Sequence, residues 1–87
     1  MRRHIIVLAA KDCKLCDRAI SIIRRYGVVP EVIYLEEIYR APKDVLEEFH
    51  KCNGVPLIIF YRRPNEKRVL CGFNLEELVE LLEWCFS

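Results

Sequence analysis

Eighty-seven residues, 53% hydrophobic and 31% charged, suffice for one domain with one core, and exclude a two-domain or a disordered chain. A net charge of +1, from 14 basic and 13 acidic side chains, supplies no basic face for a nucleic-acid backbone. No apolar run nears the ~18 residues of a membrane span, so neither nucleic acid nor membrane is expected as a partner.

The chain opens with Arg2-Arg3-His4, which, like Arg62-Arg63, is expected to flank a strand rather than read DNA. Residues 4–10, ending Ile5-Ile6-Val7-Leu8-Ala9-Ala10, are apolar and β-branched and form the first predicted strand. They are too short, and too soon followed by charge, for a signal peptide. A cytoplasmic location is expected, where thiols stay reduced unless they cycle.

Lys11-Asp12-Cys13-Lys14-Leu15-Cys16 marks the junction from strand to helix. Over 14–26, Cys16, Ala19, Ile20 and Ile23 recur at helical spacing, widened by Leu15, Ile22 and Tyr26, and Gly27 stops the helix. A second strand is predicted at 31–36, with Val32, Tyr34 and Glu36 on one face; with the first strand and helix it makes a parallel βαβ unit. Pro42 begins a helix whose apolar side is Val45, Leu46, Phe49 and Cys52, and Asn53-Gly54 ends it.

Residues 56–61, Pro-Leu-Ile-Ile-Phe-Tyr, read as a central strand buried on both faces. Pro64-Asn65 supplies a turn, and 67–71 the hairpin partner. The last helix, 74–86, starts with an Asn74/Glu77 capping box and is predicted to bury Leu75, Leu78, Val79, Leu82, Cys85 and Phe86. The fold class is therefore α/β: a four-stranded mixed sheet flanked by three helices, order βαβαββα, in one domain spanning 1–87.

Five cysteines cannot all pair, and a Cys-x-x-Cys beside a βαβ unit points to redox or metal chemistry. Cys13 lies at the helix start, where free N–H groups and the positive dipole end favour a thiolate; Lys11 and Lys14 act in the same direction, Asp12 and Asp17 against it. Cys16 continues the apolar stripe and should be the more buried. An outer attacking thiol and an inner resolving thiol suit disulfide exchange. Two reduced core cysteines would explain Cys16 but not Cys13. A zinc site with His50 and Cys52 has ligands of the right type, but at the far end of another helix and on different faces. Cys52 and Cys85 read as small hydrophobes, and Cys71 as a strand-edge thiol or a third redox thiol.

Cys-x-x-Cys at the first helix, Val55-Pro56 entering the third strand and Gly72 before the last helix together resemble the glutaredoxin branch of the thioredoxin superfamily. The likeness spans nearly the whole chain, in particular to small glutaredoxin-like proteins with a Cys-x-Leu-Cys-Asp motif. Lys14-Leu15 stands where glutaredoxins carry Pro-Tyr, and Cys71-Gly72 where they carry Gly-Gly.

This resemblance implies a thioredoxin fold and a thiol–disulfide oxidoreductase, with Cys13 the nucleophile and Cys16 the resolving thiol. Pro56 would follow a cis peptide bond and leave Val55 free to pair with an extended peptide or a glutathione-like substrate. Lys11 would meet a substrate carboxylate, and Gly72 and Asn74 a substrate's amino-acid end. No metal and no built-in cofactor is expected. The partners would be disulfide-containing proteins or a glutathione-like thiol, with an electron-donating reductase, and the chain would be a monomer. The alternative is a redox-inert or metal-binding thioredoxin-fold module that recruits a partner through the Val55-Pro56 surface.

Overall fold

Every side chain of Ile5-Ile6-Val7-Leu8-Ala9 is buried, so strand β1 (His4–Ala9) occupies the interior of a sheet and presents apolar groups to both faces. The computed structural model describes residues 3–63 and 65–87; Arg2 of the basic start and Pro64 of the expected turn lie outside them. The other strands are β2 (Glu31–Tyr34), β3 (Leu57–Arg63) and β4 (Glu66–Cys71), in the order β2-β1-β3-β4. β1 runs parallel to β2 and antiparallel to β3, and β3 runs antiparallel to β4, giving the expected mixed sheet.

The alternation of strand side chains divides the core into two layers. Ile5, Val7, Ala9, Ile58, Phe60 and Leu70 face helices α1 (Lys14–Arg25) and α3 (Leu75–Phe86). Ile6, Leu8, Ile33, Leu57, Ile59 and Tyr61 face helix α2 (Lys43–Cys52), with Val45 buried and Phe49 and Cys52 packed beside it. Each fully buried Ile, Leu or Phe contributes roughly 1.5–3 kcal/mol of transfer free energy.

Three details depart from the sequence reading. β2 ends at Tyr34, and Leu35–Arg40 is a 3-10 segment rather than two more strand residues. Leu35 and Ile38 both pack on the α2-side layer, and their spacing of three suits a three-residue turn. Leu15 and Tyr26 do not widen the α1 stripe, since both are exposed. On α3, Leu78, Leu82 and Cys85 are buried, but Leu75 and Val79 face outward; Leu81 and Trp84 pack against the core instead. As expected, α2 stops at Asn53, which takes the left-handed conformation (φ 61°, ψ 36°) and donates its N–H to the Phe49 carbonyl.

Candidate active site

β1 delivers the chain to a Lys11-Asp12 turn in which Asp12 is left-handed (φ 61°), and this turn sets Cys13 at the N-cap of α1. The Cys16 backbone N–H donates to Cys13 Sγ at 3.1 Å, and the Asp17 N–H to the Cys13 carbonyl at 3.1 Å. The sulfur thereby does the work usually given to a Ser or Asp oxygen at a helix start. Cys13 is half-buried, while Cys16, one turn on, is completely buried in the layer formed with Ala19, Ile23 and β1. The two are joined in a disulfide with their Cα atoms 5.2 Å apart. Leu15, between them, is 51% exposed and forms an apolar rim beside Cys13.

The remaining candidate residues come from the opposite side of β1. Leu8 pairs with Leu57, so Pro56 lies next to the end of β1, and the Val55–Pro56 peptide bond is cis. The Gly72 N–H donates to the Pro56 carbonyl at 2.8 Å. Gly72 has φ 91°, a conformation other residues rarely adopt, so the chain can leave β4 there and turn into α3. Cys13, Val55 and Phe73 all pack against the α1/α3 layer, and the Arg18 guanidinium lies 5.5 Å from the Phe73 ring centroid. Structure thus brings together Cys13, Cys16, Val55, Pro56 and Gly72.

Two candidates are committed elsewhere. Lys11 reaches toward the β2 side, where its Nζ lies 3.6 Å from a Glu36 carboxylate oxygen. Asn74 caps α3, its Oδ1 accepting the Glu77 N–H at 3.0 Å, which leaves only its NH2 group for another partner. Among the described residues, no cluster of three or more His, Cys, Asp or Glu is placed to hold a metal ion. A surface groove between α1 and β2, lined by Ser21, Arg24 and Tyr34, contains none of the candidate residues.

One feature escaped the sequence reading. Cys52 is neither a simple hydrophobe nor a zinc-ligand candidate: it forms a second disulfide with Cys71, their Cα atoms 5.6 Å apart. Cys71 follows Val69 at strand parity and so faces α2, at whose last position Cys52 stands. That parity is a signal available in the sequence, but only once β4 is known to lie under α2. Cys85 remains free and buried; its Sγ lies 3.4 Å from the Tyr61 carbonyl, and burial pushes its thiol pKa up.

No family model and no curated protein matches the sequence. Solved structures do. A glutaredoxin from Archaeoglobus fulgidus is 26% identical over 91% of this chain and 85% of its own, with a TM-score of 0.64. The chain has a thioredoxin fold and is similar in structure to a glutaredoxin. Thioredoxin f from spinach chloroplast, in its short form, superposes with a TM-score of 0.66 over 99% of this chain and 78% of its own, at 13% identity. A thioredoxin from Thermus thermophilus gives 0.52 over 97% and 74%, at 15% identity. Within this fold the Cys-x-x-Cys disulfide sits where β1 meets α1.

Proposed function

We propose that this protein is a thiol–disulfide oxidoreductase that cycles between a Cys13/Cys16 dithiol and their disulfide. The observation that carries the reading is the inequality of the two sulfurs: Cys13 is reachable and accepts a backbone N–H, whereas Cys16 is sealed in the core. A hydrogen bond to sulfur favours its charged form, and the thiolate is the nucleophile.

In the reduced protein, Cys13 thiolate attacks one sulfur of a substrate disulfide; the S–S bond breaks, the other substrate half leaves as a thiolate, and a mixed disulfide forms. Cys16 then loses its proton and attacks Cys13 Sγ. The Cys13–Cys16 bond forms, the second substrate half departs, and the substrate has gained two electrons and two protons. An electron-donating reductase or a low-molecular-weight dithiol restores the pair.

The substrate lies along Val55, whose backbone groups pair with an extended peptide or a glutathione-like molecule. Pro56 contributes no N–H to compete for that edge, while Gly72 and the Asn74 NH2 face the substrate's amino-acid end. Lys11 takes a substrate carboxylate in exchange for Glu36. Exposed Leu15 adds apolar contact for a protein substrate. The protein acts as a monomer, needs no resident metal or cofactor, and works in the cytoplasm. Among the described residues, no helix is long and apolar enough to cross a membrane.

The direct test is reduction of insulin by dithiothreitol. Catalytic amounts of the protein should hasten the appearance of turbidity, and Cys13→Ser should abolish the effect. No acceleration by the intact protein would leave a binding module as the better reading.

A further inference from the structure

Cys52 and Cys71 terminate α2 and β4, and each is followed at once by a segment of the candidate active site: Asn53-Gly54-Val55-Pro56 after Cys52, Gly72-Phe73-Asn74 after Cys71. Leu8, Leu57 and Cys71 are successive partners across β1, β3 and β4, so this disulfide lies about 10 Å, two strand spacings, from the end of β1 that leads to Cys13. The two disulfides share one end of the sheet but open on opposite faces, Cys13–Cys16 with α1 and Cys52–Cys71 with α2.

We propose that Cys52–Cys71 is a second thiol–disulfide exchange site, opened by dithiols through attack on Cys71, and that its state sets how firmly the two segments flanking Pro56 are held. Three observations support this. Cys71 is exposed while Cys52 is half-buried, so an incoming thiolate has access to the Cys71 sulfur. Each sulfur has a backbone carbonyl ready for a thiol proton: Cys52 Sγ lies 3.5 Å from the Gly54 oxygen, and Cys71 Sγ 3.5 Å from the Cys52 oxygen. The dithiol can therefore be accommodated without refolding. Lastly, α2 is fastened to the β3–β4 hairpin at its other end without any disulfide. Lys67 Nζ lies 3.2 Å from Glu48 and 3.7 Å from Asp44, and the Tyr61 hydroxyl donates to Asp44. Opening the disulfide frees the C-terminal end of α2 and leaves its anchorage intact.

The exchange balances. One thiolate of the reductant attacks Cys71 Sγ, the S–S bond breaks, and Cys52 departs and takes a proton. The second thiol of the reductant attacks its own sulfur in the mixed disulfide and releases Cys71, which is protonated in turn. The dithiol becomes a disulfide, and the protein gains two electrons and two protons. After reduction the two segments are joined by the Gly72–Pro56 hydrogen bond but no longer by a covalent link.

That these segments hold a substrate rests on the oxidoreductase reading; the exchange itself does not, so the test uses Cys13→Ser/Cys16→Ser protein, in which the first site is silent. Native protein is equilibrated with reduced or oxidised dithiothreitol, alkylated, and read by intact mass and peptide mapping. The expected result is reversible gain and loss of two alkylatable thiols, at Cys52 and Cys71, with buried Cys85 unlabelled throughout. Hydrogen exchange should rise on reduction at 52–56 and 71–74, and stay unchanged at 43–48. The proposal is overturned if the disulfide opens only when the protein unfolds, if Cys52 and Cys71 stay as thiols in oxidised dithiothreitol, or if exchange at 52–56 does not change. Failure of the insulin assay would count against the oxidoreductase reading while leaving this result standing.

Discussion

The Cys16 N–H points at Cys13 Sγ, 3.1 Å away, so the residue that would resolve the mixed disulfide also holds the sulfur that would start it. That contact uses the Cys16 backbone and survives a change in its side chain. Cys16→Ser should therefore retain attack and lose resolution, accumulating a mixed disulfide through Cys13 that is visible by mass spectrometry. Cys13→Ser should trap nothing, because Cys16 is buried. Adducts on the Cys13→Ser protein would reverse the roles.

Lys11 offers a second prediction, since a substrate carboxylate must compete with Glu36 for its ammonium group. Both side chains are more than half exposed, so the pair contributes no more than about 1 kcal/mol to folding. Glu36→Gln should leave thermal stability nearly unchanged and lower KM for a carboxylate-bearing disulfide by about threefold, within the range a surface pair can supply. Lys11→Gln should raise it by a similar factor, with kcat unaffected in both. An unchanged KM in both variants would remove Lys11 from the binding site.

Cys85 packs at the end of α3 as a plain hydrophobe, with burial the first cause of its raised thiol pKa. Cys85→Ala should keep full activity and cost on the order of 1 kcal/mol in denaturant unfolding, as small core truncations do. Lost activity in the folded variant would show Cys85 to be a working thiol.

Legibility from sequence tracked how local each feature is. Cys13 at the start of α1 follows from residues 4–23 alone, because the switch from β-branched run to helical spacing locates the junction and the N-cap with it. The sheet follows nearly as directly, since βαβ and hairpin units admit few arrangements. Details that need a neighbour were not visible. Leu75 and Val79 belong to the apolar pattern of α3 yet look outward, because that helix is hydrophobic around more of its circumference than the sheet can cover. Cys52 and Cys71 are 19 residues apart, and their meeting depends on α2 crossing the face of β4 that Cys71 occupies. Neither residue carries a local sign of the other.

Asp44 and Tyr61 lead to a prediction about acid stability. The Tyr61 hydroxyl donates to the Asp44 carboxylate and lowers its pKa from the ordinary 3.8; burial opposes the shift, and Lys67 adds to it. The Tyr61 phenol is pushed well above its usual 10, by burial first and the Asp44 hydrogen bond second. A carboxyl whose pKa is depressed on folding adds stability that is complete above its unfolded value, near 3.8, and is lost as pH falls through the lower folded value. Asp44 is 41% exposed, so solvent reduces what a charged hydrogen bond would give, to about 1 kcal/mol. Tyr61→Phe should be less stable than the native chain by about that amount at pH 7, since the ring stays in the core and only the hydroxyl goes. The gap should narrow as pH drops below about 4, because protonated Asp44 no longer rewards the donor. Urea unfolding of both proteins between pH 2.5 and 7 measures this. A gap that stays constant down to the lowest pH would show that Tyr61 stabilises the fold through packing rather than through Asp44.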